Sequence, residues 1–236
     1  MNGKVCVVTG GASGIGSAIV QALVAQGAQV VSLDIAQSSN AAGNLENIQC
    51  DVTDRNRIRQ VIDHTANKYG RIDVLVACAG IHNTFPFLEL PDAEFDRMIN
   101  VNLTGVYNTI KPVLSIMKEQ NKGRIITFTS IAGVIGSLTG AAHYAAAKGG
   151  VIALTKSLAR EFGAYGITVN TIAPGIIDTP MIAHFRDKAE AAYVKNAPVG
   201  RIGLPQDITG LVLFLASDES SYITGQVINI SGGYVM

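Results

Sequence analysis

The stretch Val5-Cys6-Val7-Val8-Thr9-Gly10-Gly11-Ala12-Ser13-Gly14-Ile15-Gly16 decides how this chain is read. A short apolar run ends in a glycine-rich turn, and a helical pattern over residues 17–26 follows at once. Near-continuous apolar residues mark a strand covered on both faces. Gly10 can make the tight turn, Gly14 lets backbone approach a pyrophosphate, and Gly16 lets helix pack close on strand. The helix N-terminus adds free N–H groups and the positive end of its dipole, so Ser13, Gly14, Ile15 and Gly16 are candidate anion contacts. Alone, such a cluster also fits an ordinary tight turn.

The next run outward tips the balance. Asp34 ends it, 18 residues after Gly16. An acid there can accept from both ribose hydroxyls of an adenosine and repels a 2′-phosphate. No Arg or Lys lies in the loop around Ser13 to hold such a phosphate, so the pattern points to NAD(H). A solvated acid at a strand end is the plain alternative. Asp51 and Val52 follow the third run, where they either meet the adenine edge or form a capping turn before Asp54. Spacing leaves both open.

The same alternation runs through the whole chain. Strand-like runs cover residues 5–8, 30–33, 48–50, 72–76, 124–128, 167–171 and 226–230. Helical patterns cover 17–26, 54–69, 94–120, 143–162 and 206–217, with Gly27 and Gly70 at expected helix stops. Strands separated by helices must be parallel and joined by right-handed crossovers. The expectation is an α/β protein, residues 1–236 forming one domain around a doubly wound sheet of about seven strands. Its ligand crevice should lie at the carboxyl ends of the strands.

Composition narrows the function. Lys+Arg and Asp+Glu are both 18, so there is no basic excess for nucleic acid. No apolar run reaches the ~20 residues that span a bilayer. Met1-Asn2-Gly3-Lys4 leads straight into the first strand, so no signal peptide is expected. Cys6, Cys50 and Cys78 read as reduced, buried thiols of a cytoplasmic protein, and no Cys/His pair has the spacing of a metal site. With only 15% charged residues and no net charge, self-association is expected.

Tyr144 and Lys148 sit four apart in a helical pattern, one turn from each other on one face. Such a pair is usually a surface pair, but here it follows Ser130 at the end of the fifth run and a glycine-rich loop, 133–140. With the Thr9-to-Gly16 loop, Asn102 in Asn100-Val101-Asn102-Leu103, and Pro174-Gly175-Ile176-Ile177-Asp178-Thr179, these residues resemble the short-chain dehydrogenases/reductases over essentially the whole chain. The tail, Ala216 to Gln226 and then Ser231-Gly232-Gly233, resembles the subgroup of 3-oxoacyl-[acyl-carrier-protein] reductases and many NAD-dependent alcohol and diol dehydrogenases.

The resemblance implies a Rossmann fold and an exchange of hydride between NAD(H) and a secondary alcohol or ketone. Tyr144 would be the acid/base, with Lys148 lowering its pKa and binding the nicotinamide ribose. Ser130 would hold the substrate oxygen, and Asn102 a water leading from Lys148 to solvent. Pro174, Gly175, Ile177 and Thr179 would face the nicotinamide end. Where the family usually has Asn-Asn-Ala-Gly, this chain has Ala77-Cys78-Ala79-Gly80. Backbone contacts of Cys78, Ala79 and Gly80 to the adenosine ribose survive that change; amide side chains bracing the sheet do not. The interval from Ser130 to Tyr144 is one residue longer than usual.

Other residues stay open. His143 points about 100° away from Tyr144 and reads as a cleft-wall or interface residue. His82, Asn83, Phe85 and Phe87 either shape the pocket or form a surface loop. Residues 181–196, with Phe185 and Tyr193, read as a substrate lid or a surface helix. Lys188, Lys195 and Arg201 are scattered and demand no anionic substrate. A homotetramer is expected through helices 94–120 and 143–162, the second being rich in small residues (Ala145, Ala146, Ala147, Gly149, Gly150, Ala153). Two other functions fit: a 3-oxoacyl-carrier reductase using NADPH or NADH, and a non-catalytic nucleotide-binding scaffold.

Overall fold

Each apolar run becomes a strand of one parallel sheet in the computed structural model, which describes residues 1–36, 43–137, 140–183 and 186–236, without the side chains of 186–189. The strands are β1 (Val5–Thr9), β2 (Gln29–Asp34), β3 (Leu45–Gln49), β4 (Val74–Ala77), β5 (Gly123–Phe128), β6 (Ile167–Pro174) and β7 (Val227–Ile230). Their order is β3-β2-β1-β4-β5-β6-β7, so the sheet winds one way from β1 to β3 and the other way from β4 to β7. The carboxyl ends of β1 and β4 therefore flank the reversal, where a crevice opens.

Side chains alternate across the sheet and build two cores. Val7, Val31, Leu75 and Ile125 face α2 (Arg55–Tyr69), α4 (Gly105–Gln120) and α6 (Ala142–Phe162). Cys6, Val8, Val30, Val76 and Ile126 face α1 (Gly14–Ala25) and α8 (Pro205–Ala216). The remaining helices are α3 (Asp92–Ile99), α5 (Ile131–Ile135) and α7 (Arg186–Val194). No helix among the described residues is long and apolar enough to cross a membrane.

Three elements depart from the sequence pattern. β3 starts at Leu45 and ends before Cys50, because an edge strand with half-buried residues need not be apolar. The expected helix over 94–120 is instead α3, a π-helical turn at Asn100–Thr104, and α4. Part of the expected glycine-rich loop is the short helix α5; Leu138 and Thr139 lie outside the described residues.

Buried polar groups are tied off at the amino edge of the sheet. Asp73 accepts from the Val5 N–H at 2.8 Å and pairs with Arg71. Arg124, 5% exposed, donates to the Ser217 carbonyl, while Lys4, Lys122 and Arg124 converge on Asp218. These bonds tie the first strand, β5 and the turn after α8 together, away from the crevice.

Asp54 caps α2 as the sequence indicates, its carboxylate accepting from the Arg57 N–H at 2.9 Å, and Gly70 ends that helix at φ 73°. Asp54→Ala should cost about 1 kcal/mol, read as a lower midpoint in urea with an unchanged slope.

Candidate active site

The first βα turn is built by contacts that exclude side chains. Gly10 has φ 72°, and a Cβ there would lie 2.7 Å from the Ala79 Cα. A Cβ on Gly16 would lie 1.9 Å from the Gly10 carbonyl oxygen, so α1 rests directly on the turn. Ser13 caps α1 by backbone only, leaving its hydroxyl without a capping bond to the first-turn amides. The Asp34 carboxylate lies against this loop, accepting from the Ala12 N–H and the Ala36 N–H, both at 3.0 Å. A backbone cradle at a helix N-terminus beside an acid fits a dinucleotide's pyrophosphate and adenosine ribose.

Across the reversal, β4 continues as Cys78-Ala79-Gly80. The Ala79 N–H donates to the Thr9 hydroxyl at 3.2 Å, so a side chain from β1 braces this strand end where the amides are missing. Cys78 is only partly buried and lines the cavity, contrary to the expectation of a buried thiol. Asn102 sits in the π turn with no exposure and grips Ile81 on both backbone groups, accepting at 3.1 Å and donating at 3.0 Å. Gly80 is wedged beside it: a Cβ there would lie 2.6 Å from Asn102 Oδ1 and 3.5 Å from Lys148 Nζ.

Ser130 ends the β5 connection and caps α5, accepting from the Ala132 N–H at 3.1 Å. Ser130 and Tyr144 line the same cavity, and the Ser130 side chain acts to lower the Tyr144 pKa. Lys148 lies one helical turn on, 4% exposed, with Nζ 5.7 Å from the Tyr144 ring centroid and donating to the Phe128 carbonyl at 2.9 Å. A cavity of about 380 Å³ opens on these groups. Besides Asn102, Ser130, Tyr144 and Lys148, it is lined by Ile15, Cys78, Gly80, Pro174, Gly175, Ile177 and Thr179 of the expected set. Gly10, Ser13, Gly14, Gly16, Asp34 and Ala79 lie outside it, grouped at the adjoining loops; a Cβ on Gly14 would meet Thr179 Cγ2 at 3.2 Å.

Some expected roles are redrawn. Asp51 folds its carboxylate onto the Thr53 N–H and hydroxyl while its carbonyl accepts from the Asp54 N–H, which is the capping turn. Val52 is buried against Gly105, and neither residue reaches the cavity. His143 is fully buried and off the cavity wall, bonded to Asn83. Of His82, Asn83, Phe85 and Phe87, only His82 lines the cavity; its ring meets Tyr144 edge-on, with centroids 4.8 Å apart. Phe87 is exposed.

The electrostatics also differ from expectation. Burial pushes the Tyr144 phenol up to about 12, only partly opposed by the neighbouring Ser130 side chain. Burial likewise pushes the Lys148 ammonium down to about 8. Desolvation penalises the charged form of each group, and here it outweighs the attraction Lys148 was expected to supply.

The far wall was only partly readable. Met181, Ile182, Ala192, Tyr193 and Asn196 come from the anticipated lid segment; Phe185 and the Lys188 side chain lie outside the described residues. Tyr234 completes the wall, stacked on Tyr193 with centroids 4.5 Å apart, and no motif marked it. Tyr193 also donates to the Ser231 carbonyl at 2.6 Å, across the face of Gly175. Among the described residues no group of three or more His, Cys, Asp or Glu gathers around a possible metal ion.

Residues 10–235 match the family model described as "Enoyl-(Acyl carrier protein) reductase". The chain is 41% identical to the 3-oxoacyl-[acyl-carrier-protein] reductase of Thermotoga maritima, over all of this chain and 99% of that one. It is 39% identical to the enzyme of that name from Escherichia coli, covering 99% and 98%. Among solved structures it resembles levodione reductase (34% identity, TM-score 0.92, 99% and 98% covered) and the aldohexose dehydrogenase of Thermoplasma acidophilum (33%, 0.92, 99% and 94%).

The buried Lys148 yields a stability prediction. Its folded pKa near 8 lies below the unfolded value of 10.5, so the unfolded chain binds more protons between those values. The charged form is penalised in the fold by up to about 3 kcal/mol. That penalty is full below pH 8 and gone above 10.5. Lys148→Met should therefore raise the melting temperature at pH 7, with the advantage shrinking as the pH climbs through that window. Thermal melts at several pH values check this.

Proposed function

Since the chain belongs to the short-chain dehydrogenase/reductase family and is thus an oxidoreductase acting on CH–OH groups with a nicotinamide cofactor, we propose that it interconverts a neutral secondary alcohol and its ketone using NAD(H). The observation that carries this is the convergence of Ser130, Tyr144 and Lys148 on one cavity lined mainly by apolar side chains, with Lys148 Nζ 5.7 Å from the Tyr144 ring centroid. When bound, the cofactor supplies or removes the hydride.

The chain's own residues supply the rest. Ser130 donates to the carbonyl oxygen where negative charge gathers during reduction. Tyr144, neutral because burial holds its phenol near 12, gives that oxygen its proton. Lys148 then sits beside a forming phenolate, which favours its charged form and steadies the proton transfer. Asn102, fixed to Ile81, holds the π turn beside Gly80 and Lys148 and supports proton exchange with solvent. Asp34 accepts from the adenosine ribose, Gly10 to Gly16 with Ser13 and Ile15 hold the pyrophosphate, and Cys78, Ala79 and Gly80 supply backbone contacts along the same edge. Pro174, Gly175, Ile177 and Thr179 fix the nicotinamide end. Among the described residues lining the cavity, Lys148 is the sole charged side chain, which supports a substrate without a carboxylate or phosphate.

A 3-oxoacyl thioester is the second reading, favoured by the 41% identity to the Thermotoga maritima enzyme. In our reading residues 1–236 act as one domain, in the cytoplasm, as a homotetramer built in part on α4 and α6. Ala142, Ala146 and Ala153 leave an exposed strip of small residues on α6. Gly150 is accounted for within the chain, since a Cβ there would lie 2.8 Å from Leu103. Light scattering at micromolar concentration should show a mass near four chains; a fully active monomer removes the tetramer.

A panel of secondary alcohols, vicinal diols and 3-oxoacyl thioesters with both cofactors tests the activity. We expect kcat/KM to favour NAD(H) and Asp34→Ala to narrow that preference. Tyr144→Phe should lower kcat by roughly 100-fold or more while NAD(H) still binds. Near-normal turnover by Tyr144→Phe, or a wild-type preference for NADP(H), would count against the corresponding assignment.

A further inference from the structure

Tyr144 is the third residue of a helix whose start is poorly secured. Ala141 occupies the capping position of α6 and offers no side-chain bond to the first-turn N–H groups. Uncapped helix ends fray within that turn. The loop after β4 holds it instead. The Phe85 N–H donates to the Gly140 carbonyl at 2.9 Å, the His82 ring packs on Tyr144, and Asn83 Oδ1 lies 2.6 Å from His143 Nε2.

The polarity of that last contact follows from its neighbour. Asn83 Nδ2 donates to Glu94 Oε2 at 2.7 Å; Glu94, a carboxyl ionised at neutral pH, its pKa held below the usual range by Arg97 and by Asn83 itself, accepts there. A carboxylate only accepts, so the amide nitrogen must face Glu94 and the amide oxygen must face the imidazole. His143 then has to donate from Nε2, leaving Nδ1 as a bare lone pair. That atom is buried and has no hydrogen-bond partner among the described residues. Burial also disfavours the charged ring, with Glu94 opposing it weakly. A buried imidazole with one nitrogen bonded and the other unmet is a costly way merely to fill space.

We propose that Glu94, Asn83 and His143 form a directed hydrogen-bond relay, running from the surface of α3 to the first turn of α6, that fixes the placement of Tyr144. They are positioning residues: none lines the cavity. The proposal rests on the reading of Tyr144 as the proton-transfer group. Small displacements of such a group cost rate more than binding.

The chain has four histidines, so nitrogen NMR of protein labelled in histidine can follow His143, identified by its loss in His143→Phe. The wild type should show His143 as the Nε2–H tautomer. Glu94→Ala should mix the tautomers and lower kcat about tenfold, with KM for NAD(H) changed less than twofold. Glu94→Gln keeps an acceptor for Asn83 and should recover most of the rate. Arg97→Ala removes only the exposed ion pair and should alter neither tautomer nor kcat. The relay is overturned if Glu94→Ala keeps the wild-type tautomer or rate, or if Arg97→Ala loses as much. The tautomer is read without turnover, so failure of the relay is distinguishable from failure of the Tyr144 assignment, which Tyr144→Phe reports.

Discussion

A parallel sheet covered by helices on both faces leaves its carboxyl edge as the place where polar groups gather, and the strand order splits that edge between β1 and β4. The rest of the site depends on how closely the two halves meet there. Gly10 and Ala79 touch backbone to backbone, and the Thr9 hydroxyl reaches across to the Ala79 N–H. One half contributes the loop and Asp34; the other contributes Asn102, Ser130, Tyr144 and Lys148. Ile15 brings the first half to the wall of a cavity that the second half otherwise lines.

Close packing also explains the site's electrostatics. Lys148 is held beneath Gly80 and against α5, where a Cβ on Gly133 would lie 2.8 Å from the Lys148 carbonyl carbon. Among the described residues no carboxylate pairs with the ammonium, which donates to the Phe128 carbonyl. A buried cation with so little compensation destabilises the fold, and such groups persist where chemistry requires them. Burial also disfavours the charged form of the tyrosine beside it, so the pair is poised for a charge that only a bound reactant brings.

What the sequence revealed follows the range of each interaction. The glycine turn, Asp34, the Asp54 cap and the Tyr144/Lys148 pair are local patterns, and their spacing carries them. β3 was partly hidden because Glu46, Asn47 and Gln49 occupy an edge strand that tolerates polar residues. His82, Tyr193 and Tyr234 line one cavity from three distant stretches, so no periodicity could assemble them. The pKa direction of Tyr144 was misjudged for the same reason: four-residue spacing reports its proximity to Lys148, whereas burial is set by strands and helices far along the chain. The missing amides at Ala77 and Cys78 were visible, but not the threonine on a different strand that braces the edge.

The π turn at Asn100–Thr104 carries one residue more than a regular helix would use, rotating α3 by about 100° relative to α4. That offset lets α4 pack on β4, β5 and α2 while α3 packs on α6. Deleting a single residue here would restore an unbroken helix with better backbone hydrogen bonding, yet it would turn one of the two packed faces toward solvent and withdraw Asn102 from Ile81. In evolutionary terms the segment is closed to changes of length: side chains can be exchanged around it, whereas any drift in residue number must be absorbed by loops elsewhere in the fold.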